Sequence, residues 1–339
     1  MIIMDCTLRD GANVVGNGFS RELTQMILSG LCGSGVQIIE LGNAKGLGAY
    51  EIAGSVAPLT DREYLELARP YLGKAKLGMF LNAARFRQEN VELAGESGID
   101  FLRVGIAAGD GKKAKEAVAC TKNNGMQAYF ALMKAYILSP QALAEEGRML
   151  AGFGADELTI MDSAGTMEPE DVARYVEALK KAVDIPVGFH GHNNLGLAVA
   201  NAGAAAGAGA DILDCGLLGM ARSAGNIPTE AAIALLERRG TPCGADLGAL
   251  LHFLDRELIP AMEREGYRPA IRPLDLILGC SGAHSSLTGK FRAAAERTGT
   301  DLYRLIMAVS RIDRKAPSEE LMEQCAQQLG AEQSPLFPQ

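Results

Sequence analysis

The stretch ELTIMDSAGTMEPEDVARYVEALK, residues 157–180, contains the unit from which the fold is predicted. Its first part, Glu157–Met161, is a short apolar run of the length expected for a buried strand. Pro169 then begins an amphipathic segment at a position typical of the first turn of a helix. A strand followed by a helix is the repeating element of parallel α/β proteins, so recurrence of this unit predicts a parallel sheet.

The unit recurs along the first two thirds of the chain, at spacings of roughly 25 to 40 residues. Ser20 is predicted to cap the first helix, and Gly125, Gly154 and Gly209 each precede a strand, where a helix has to end. Eight strands favour closure into a (β/α)₈ TIM barrel, with an open doubly wound sheet as the alternative. The predicted strands are Ile2–Cys6, Val36–Leu41, Ala75–Leu81, Phe101–Ile106, Gln127–Leu132, Glu157–Met161, Ile185–Phe189 and Ala210–Asp214.

The alternation stops after about Arg239, and the remaining sequence has mainly helical periodicity. Leu276–Leu278 is the one run there that could form a strand. We therefore expect a catalytic barrel over residues 1–239 and a helical region over residues 240–339. That region is expected to cover the barrel mouth, to form an oligomer or partner interface, or to do both. The Gly-rich stretch from Gly42 to Gly54 lacks the G-x-G-x-x-G spacing of dinucleotide sites and is interpreted as a loop.

The composition excludes several classes of protein. The net charge is −8 and no cluster of Lys or Arg occurs, which argues against a nucleic-acid partner. No run of about 20 apolar residues exists, so no membrane span is expected, and the first residues lack the features of a signal peptide. The seven cysteines are scattered without a CxxC pair, which is typical of reduced thiols in a cytoplasmic protein.

Three residues form a candidate metal site. His190 and His192 are two positions apart at the end of the seventh strand, so their rings point to the same face. Asp10 follows the first strand, which lies close to the seventh in a closed barrel. Two imidazoles and one carboxylate leave positions free on a divalent metal where a substrate can chelate. The alternatives are a hydrogen-bonded pair of core histidines and a capping or ion-paired Asp10.

Arg9 precedes Asp10 in the same turn. A guanidinium fixed beside a metal can stabilise an enolate oxygen and orient a carboxylate through paired hydrogen bonds. The alternative role for Arg9 is a buried salt bridge that braces the barrel.

Five motifs resemble the aldolase/Claisen-type TIM-barrel metalloenzyme superfamily, whose members include HMG-CoA lyase and isopropylmalate synthase. The resemblance covers nearly the whole chain, and the fourth and fifth motifs point most closely to the 4-hydroxy-2-oxovalerate aldolases. The motifs are TLRDG at 7–11, HGHNNLGLAVAN at 190–201, GLLGMARSAGNIPTE at 216–230, MDSAGTMEPEDV at 161–172 and SGAHSSLTGKF at 281–291.

The resemblance implies roles for residues at matching positions. Asp10, His190 and His192 would bind Mn²⁺ or Mg²⁺, on which a 2-oxo acid chelates. Arg9 would stabilise the pyruvate enolate formed when the C–C bond breaks. The remaining implied residues are Ser163, which would help to hold the substrate carboxylate, and Asn226, which would support the metal or ligate it.

Two positions depart from the pattern of these aldolases. Asn13 stands where they usually carry the histidine that acts as the base, and we expect Asn13 to bind substrate instead. His284 stands where they place a tyrosine. We therefore expect the acid/base role to have moved, first to His284 and second to Lys134, near the end of the fifth strand. The alternatives are a surface histidine and a lysine that pairs with an acid or with the substrate carboxylate.

The favoured function is cleavage or formation of a C–C bond in a 4-hydroxy-2-oxo acid, with pyruvate and an aldehyde as the other reactants. A Claisen-type acyl-CoA synthase or lyase is the second hypothesis, but the loop of residues 216–226 has no cysteine as the lyases do. A scaffold that has lost turnover is the third, and a different metal-assisted reaction such as decarboxylation or isomerisation is the fourth. In the resembling aldolases the C-terminal helices dock an acylating aldehyde dehydrogenase; here they could equally form a homodimer.

Overall fold

The fold is that of a closed barrel surrounded by helices. A computed structural model describes residues 1–52, 54–269, 273–281, 283, 287–313 and 317–330. Eight parallel strands pair in sequence order, and β1 also pairs with β8, so the barrel closes and the (β/α)₈ prediction is confirmed. The strands are β1 Ile2–Asp5, β2 Ile38–Leu41, β3 Lys76–Asn82, β4 Phe101–Ala107, β5 Gln127–Met133, β6 Glu157–Asp162, β7 Val187–Gly191 and β8 Ile212–Cys215.

Two helices on the outside of the barrel begin where the sequence predicts, after Ser20 and at Pro169. The Ser20 hydroxyl accepts a hydrogen bond from the Leu23 amide, as expected for an N-cap. Thr60 and Glu63 form a reciprocal capping box, which the sequence analysis did not identify. The barrel helices are α1 Arg21–Gly33, α2 Asp61–Ala68, α3 Gln88–Glu96, α4 Lys115–Asn123, α5 Pro140–Gly152, α6 Pro169–Lys180, α7 Ala198–Gly207 and α8 Thr229–Arg238.

The C-terminal region forms helices joined by short connections, and its described residues contain no strand. Leu276–Leu278 lies inside a helix, so its assignment as a possible strand was wrong. A short apolar run has no periodicity that separates a strand from a buried helix, and Pro273 at the helix start was the better signal. The helices are α9 Leu247–Phe253, α10 Ile259–Arg264, α11 Pro273–Ser281, α12 Thr288–Thr298, α13 Leu302–Ile312 and α14 Glu319–Gly330, with a π-helical turn at Leu254–Leu258 between α9 and α10.

The C-terminal helices pack onto the barrel near its closure. Helix α9 contacts α1 and α8, and α11 contacts α8 and α13. Between α10 and α11, the Tyr267 hydroxyl donates a hydrogen bond of 2.8 Å to the carbonyl of Leu218, in the loop after β8. This loop therefore touches the C-terminal region directly. Across the described residues, no helix combines the length and apolar character needed to cross a membrane.

Side chains fill the barrel interior in layers. Alternate residues of each strand point inward, so residues two apart occupy successive layers. On β2, β4 and β8 a lower apolar layer is followed, two residues further along the strand, by the charged residues Glu40, Arg103 and Asp214, and an upper apolar layer is formed by residues of β3, β5 and β6. The lower layer contains Met4, Ile38, Phe101, Tyr129 and Ile212, and the upper layer contains Phe80, Ala131 and Met161.

Candidate active and metal site

The three predicted metal ligands meet at the carboxyl end of the barrel. Asp10 Oδ2 lies 3.6 Å from His190 Nε2 and 3.8 Å from His192 Nε2. All three side chains are buried, and one donor atom from each lies within 4.8 Å of the others. His190 is in β7 and His192 just follows it, so the two-residue spacing places both rings on one face, as predicted from the sequence. The cluster has the size and donor types of a divalent-metal site.

Asp214 orients one of the two imidazoles. His190 and Asp214 are register partners on β7 and β8, and His190 Nδ1 lies 2.8 Å from Asp214 Oδ2. With the proton on Nδ1, the lone pair of Nε2 faces Asp10. A carboxylate behind a histidine ligand is a common support in metal sites, because it holds the ring and its tautomer. Sequence analysis did not identify Asp214.

A chain of buried charges continues from Asp214 through the barrel interior. Arg103 donates hydrogen bonds to Asp214 and to Glu40, and Glu40 also accepts from Arg9 Nε. His190 and Arg9, which contact different oxygens of Asp10, are thus connected through three side chains. Glu40 and Arg103 were also missed. A signal was present, since a charged residue at an inward position of an otherwise apolar strand needs a buried partner.

The electrostatics suit metal binding. Burial alone would raise the pKa of Asp10, but Arg9 and the two histidines outweigh it and hold the pKa well below its usual range. Burial, followed by the neighbouring His190, lowers the pKa of His192 to about 4. Asp10 is therefore ionised and His192 neutral near pH 7. These are the protonation states that a metal ligand requires.

Asn226 provides further support for a cation at this position. Its Nδ2 donates a hydrogen bond of 2.9 Å to Asp10 Oδ2, while its Oδ1 is buried without a hydrogen-bond partner among the described residues. Gly225 adopts φ +89, and a side chain there would lie 2.4 Å from the carbonyl oxygen of Gly219, so the tight loop before Asn226 requires glycine. An unsatisfied carbonyl oxygen beside an acid and two imidazoles fits a bound divalent ion.

A second possible donor set shares His190 with the first. Cys6, His190 and Asp214 also have donor atoms close together. Burial raises the pKa of the Cys6 thiol well above its ordinary range, and the thiol donates to the carbonyl of Cys215. Asp214 already accepts from His190 and Arg103. This set is therefore a hydrogen-bonded support for the first cluster.

A cavity of about 230 Å³ opens beside the histidines. Two predicted substrate-binding residues, Asn13 and Ser163, line it together with Arg9. Asn13 donates to the backbone oxygen of Asp10 at 2.8 Å and more weakly to its carboxylate at 3.2 Å. The other lining residues are Ala44, Lys45, Phe80, Asn82, Arg85, Met133, Met161, His190, His192 and Arg222.

Of the two predicted acid/base residues, the structure describes Lys134. Lys134 follows β5 with an exposed side chain, and it is not among the residues that line the cavity. Its backbone adopts φ +55, and its amide donates a hydrogen bond of 2.9 Å to the Ser163 hydroxyl. Lys134 thus orients Ser163 through its backbone. His284 lies outside the described residues.

Arg9 lines the cavity and keeps one donor without a hydrogen-bond partner among the described residues. Its Nη1 lies 3.0 Å from Asp10 Oδ1, its Nε is bonded to Glu40, and its Cζ lies 5.0 Å from the centre of the Phe80 ring. The guanidinium is therefore held on three sides. Its Nη2 is buried without a hydrogen-bond partner among the described residues. Burial alone would lower the pKa of Arg9, but Glu40 and Asp10 outweigh it and raise the pKa, so the group is always charged.

A (β/α)₈ barrel with ionisable side chains gathered at the carboxyl ends of its strands has the architecture of a barrel enzyme. The chain belongs to the HMGL-like family, whose sequence model matches residues 1–256, and the resemblance inferred from the motifs is thereby confirmed.

Three known proteins illustrate the similarity. The chain is 32% identical over 330 residues to a 4-hydroxy-2-oxovalerate aldolase of Geobacillus genomosp. 3, with 97% of each chain covered. It is 35% identical over 310 residues to an oxaloacetate decarboxylase of Mycobacterium tuberculosis, with 91% of each covered. The crystal structure of Bacillus subtilis HMG-CoA lyase superposes with a TM-score of 0.66 at 18% identity, over 81% of this chain and 97% of that one. The last similarity concerns the fold alone.

Proposed function

We propose that the protein is a divalent-metal-dependent aldolase that cleaves a 4-hydroxy-2-oxo acid into pyruvate and an aldehyde, or catalyses the reverse condensation. Several relatives named 4-hydroxy-2-oxovalerate aldolase are 32–33% identical over most of the chain. The observation that carries the proposal is Arg9, which lines the same cavity as the imidazole pair and whose buried Nη2 has no hydrogen-bond partner among the described residues. It is a charged donor positioned for an oxygen that becomes negative during the reaction.

The proposed ligands of the metal are Asp10, His190 and His192, with Asn226 as support or as a further ligand. When bound, Mn²⁺ or Mg²⁺ supplies Lewis-acid polarisation of the 2-oxo acid. Asp214 holds His190 in the tautomer that leaves Nε2 free. The buried network from Asp214 to Arg9 keeps both in place, so little reorganisation accompanies the reaction.

In the cleavage direction, the bond between C3 and C4 breaks and its electron pair forms the enolate of pyruvate. The proton of the 4-hydroxyl group passes to a base as the aldehyde carbonyl forms, and C3 of the enolate then takes up a proton. Arg9 donates a hydrogen bond to the enolate oxygen, which carries more charge in the transition state than in the substrate. Ser163, oriented by the Lys134 amide, would donate a hydrogen bond to the substrate, and Asn13 would contact the substrate through its amide oxygen.

We propose His284 as the base, with Lys134 as the second candidate. Asn13 has no nitrogen that takes up a proton near pH 7, although it lines the cavity where relatives of the aldolase type carry a histidine. Replacing the base is expected to lower kcat for cleavage about 10²-fold or more. We expect this loss in His284→Ala with unchanged Mn²⁺ affinity, and Lys134→Ala serves as the matched comparison.

The double variant Asn13→His/His284→Ala adds a stringent control, because a histidine restored at position 13 is expected to recover part of the lost rate. Undiminished turnover in His284→Ala would remove His284 from the mechanism.

Decarboxylation of a 2-oxo dicarboxylic acid is a second candidate, favoured by Asn13. When the second carboxylate is β to the keto group, as in oxaloacetate, loss of CO₂ also leaves the enolate of pyruvate, but no hydroxyl proton has to be removed. A cavity with Arg9 and without a basic group at position 13 meets this lower requirement. The M. tuberculosis relative at 35% identity is named for this chemistry.

The two candidates are separated by a metal-supplemented assay of pyruvate release from 4-hydroxy-2-oxo acids and from oxaloacetate. The proposal predicts pyruvate together with an equimolar aldehyde from a 4-hydroxy-2-oxo acid, lost on chelation of the metal and regained on its return. Faster pyruvate release from oxaloacetate, with CO₂, would favour the decarboxylase. Stoichiometric Mn²⁺ binding without turnover of any 2-oxo acid would favour a scaffold.

For the C-terminal region, we propose that residues 240–339 form a separate functional unit that serves as an oligomer or partner interface next to the barrel mouth. An acylating aldehyde dehydrogenase that consumes the aldehyde, or a second copy of the chain, would occupy it in the cytoplasm. The contact of Tyr267 with the loop after β8 supports communication between this region and the site. Size-exclusion chromatography with light scattering, with and without such a dehydrogenase, tests both.

A further inference from the structure

We propose that the end of the cavity opposite the histidines is a subsite for an anionic group, formed by Lys45 and Arg85. The substrate would then be a 2-oxo acid whose second fragment carries a carboxylate. This inference rests on the proposed function, which places the 2-oxo acid group beside the histidines. It adds the chemical class of the fragment at the other end of the substrate.

The charge of the cavity wall is the first support. Lys45 and Arg85 line the cavity on the side of β2 and β3, Arg222 lines it in the loop after β8, and no acidic residue is among its lining residues. Of the described side chains, no carboxylate lies within ion-pair distance of either cation. By contrast, Arg9 in the same cavity contacts two carboxylates. Two cations that face one small cavity without a protein counter-ion can bind an anionic ligand without first breaking a salt bridge.

Neutral groups hold both cations in place. Lys45 Nζ donates to the carbonyl of Gly54 at 2.9 Å and to the hydroxyl of Ser55 at 3.0 Å. Arg85 Nη2 donates to the backbone carbonyl of Lys45, which ties the two residues together. Arg85 Nε is buried without a hydrogen-bond partner among the described residues. The pair is therefore positioned, and one charged donor remains available.

The backbone beneath the pair is also fixed. The Leu47 amide donates a hydrogen bond of 2.8 Å to the carbonyl of Phe80, which joins the loop after β2 to the end of β3. Gly46 adopts φ +96, and a side chain there would lie 2.6 Å from the same carbonyl. Only glycine permits this close approach, which fixes the backbone next to Lys45 at the barrel mouth.

The barrel topology gives the direction of the ligand. Arg85 follows β3, and the histidines belong to β7, which is the strand diametrically opposite in a closed barrel of eight. A 2-oxo acid bound beside His190 and Arg9 would therefore extend across the mouth towards Lys45 and Arg85. Its remote end, which becomes the aldehyde fragment, would lie next to the two cations.

Lys45 and Arg85 favour a reaction in which the bound carboxylate stays on the aldehyde fragment over one in which it leaves as CO₂. A carboxylate lost as CO₂ gives up its charge in the transition state, so cations fixed on it stabilise the reactant more and slow the reaction. A carboxylate that stays on the aldehyde fragment keeps its charge throughout. The subsite therefore fits aldol cleavage of a 4-hydroxy-2-oxo dicarboxylic acid better than decarboxylation.

Binding of unreactive analogues tests the subsite without any turnover. Isothermal titration of the Mn²⁺-loaded protein would compare 2-oxoglutarate with 2-oxopentanoate, and 2-oxoadipate with 2-oxohexanoate. The members of each pair have equal chain length and differ in a terminal carboxylate or methyl group. In the wild type we expect one of the two dicarboxylates to bind about 10- to 100-fold more tightly than its partner, as charge-assisted hydrogen bonds predict.

In Arg85→Met and Lys45→Met this preference is expected to fall several-fold each, while Lys76→Met, at the other end of β3, keeps it. Added salt should weaken the preference, because Lys45 is exposed. Equal binding within both pairs in the wild type, or an undiminished preference in both cavity variants, would overturn the inference. Since these ligands are not cleaved, a protein that shows the preference but cleaves no 4-hydroxy-2-oxo acid would contradict the proposed function and not the subsite.

Discussion

The ionisable side chains on the two sides of the barrel mouth differ in their burial and in the groups that they contact. On the side of β7, β8 and β1, Asp10, His190 and Asp214 are buried, and the two carboxylates contact His190 and the cations Arg9 and Arg103. On the side of β2 and β3, Lys45 and Arg85 lie nearer to solvent, and they donate hydrogen bonds to neutral oxygens. Burial of an unpaired charge costs several kcal/mol, whereas a charge at the rim is screened by water. The first side is therefore suited to a fixed catalytic arrangement, and the second to selecting the substrate.

The largest effect on activity is expected when the buried Asp10 loses its charge. In Asp10→Asn the carboxylate is replaced by an amide of the same shape, so the anion that both histidines face is removed. We expect loss of Mn²⁺ binding in calorimetry and a loss of cleavage activity on the order of 10³-fold, comparable to removal of a charge-stabilising group in other enzymes. Thermal unfolding should stay cooperative. Full Mn²⁺ affinity in this variant would separate the cluster from metal binding.

A buried cation and a cation at the rim of the mouth should also differ in their contribution to stability. Arg103→Gln leaves the buried Glu40 and Asp214 without their shared partner, and we expect a loss of about 3–5 kcal/mol in the free energy of unfolding. Arg85→Gln removes a cation that contacts no described carboxylate, and a change within about 0.5 kcal/mol is expected. Urea denaturation of both variants measures the contrast. Similar losses would mean that the rim cation is as structural as the buried one.

The smallest effect is expected for Glu157, a buried acid that forms no ion pair with a described cation. Burial raises the pKa of Glu157 to about 8, and its hydrogen-bond donor is the Thr159 hydroxyl. In the unfolded chain the carboxyl would titrate near 4.3. Between those two pH values the folded state binds more protons, so Glu157 makes the free energy of unfolding fall as pH rises.

Glu157→Gln removes this dependence. Relative to the wild type, the variant should gain at least about 1 kcal/mol in the free energy of unfolding between pH 5 and pH 8. The same variant should keep Mn²⁺ affinity, since Glu157 lies at the start of β6, away from the mouth. A parallel pH dependence in both proteins would show that this carboxyl is ionised in the fold.

Much of the fold and part of the site could be predicted from patterns of residues that are close together in the sequence. All eight strands lie within two residues of their predicted bounds, because an apolar run between turn residues is a short-range signal. The proximity of His190 and His192 followed from the two-residue period of a strand. Leu276–Leu278 failed because the same signal is ambiguous in a short run. Glu40, Arg103 and Asp214 were not found, since each appears in the sequence as an isolated charge.

By itself, the sequence determined the number and order of the βα units, the two-histidine segment and the family motifs, all of which depend on residues close together in the chain. Tertiary structure alone decided that Asp214 supports His190, that Arg103 links it to Glu40 and Arg9, and that Lys45 lies beside Arg85. These contacts join strands and loops that are far apart in sequence. Their formation depends on the register and closure of the barrel, and the cost of burying an unpaired charge then selects the partners.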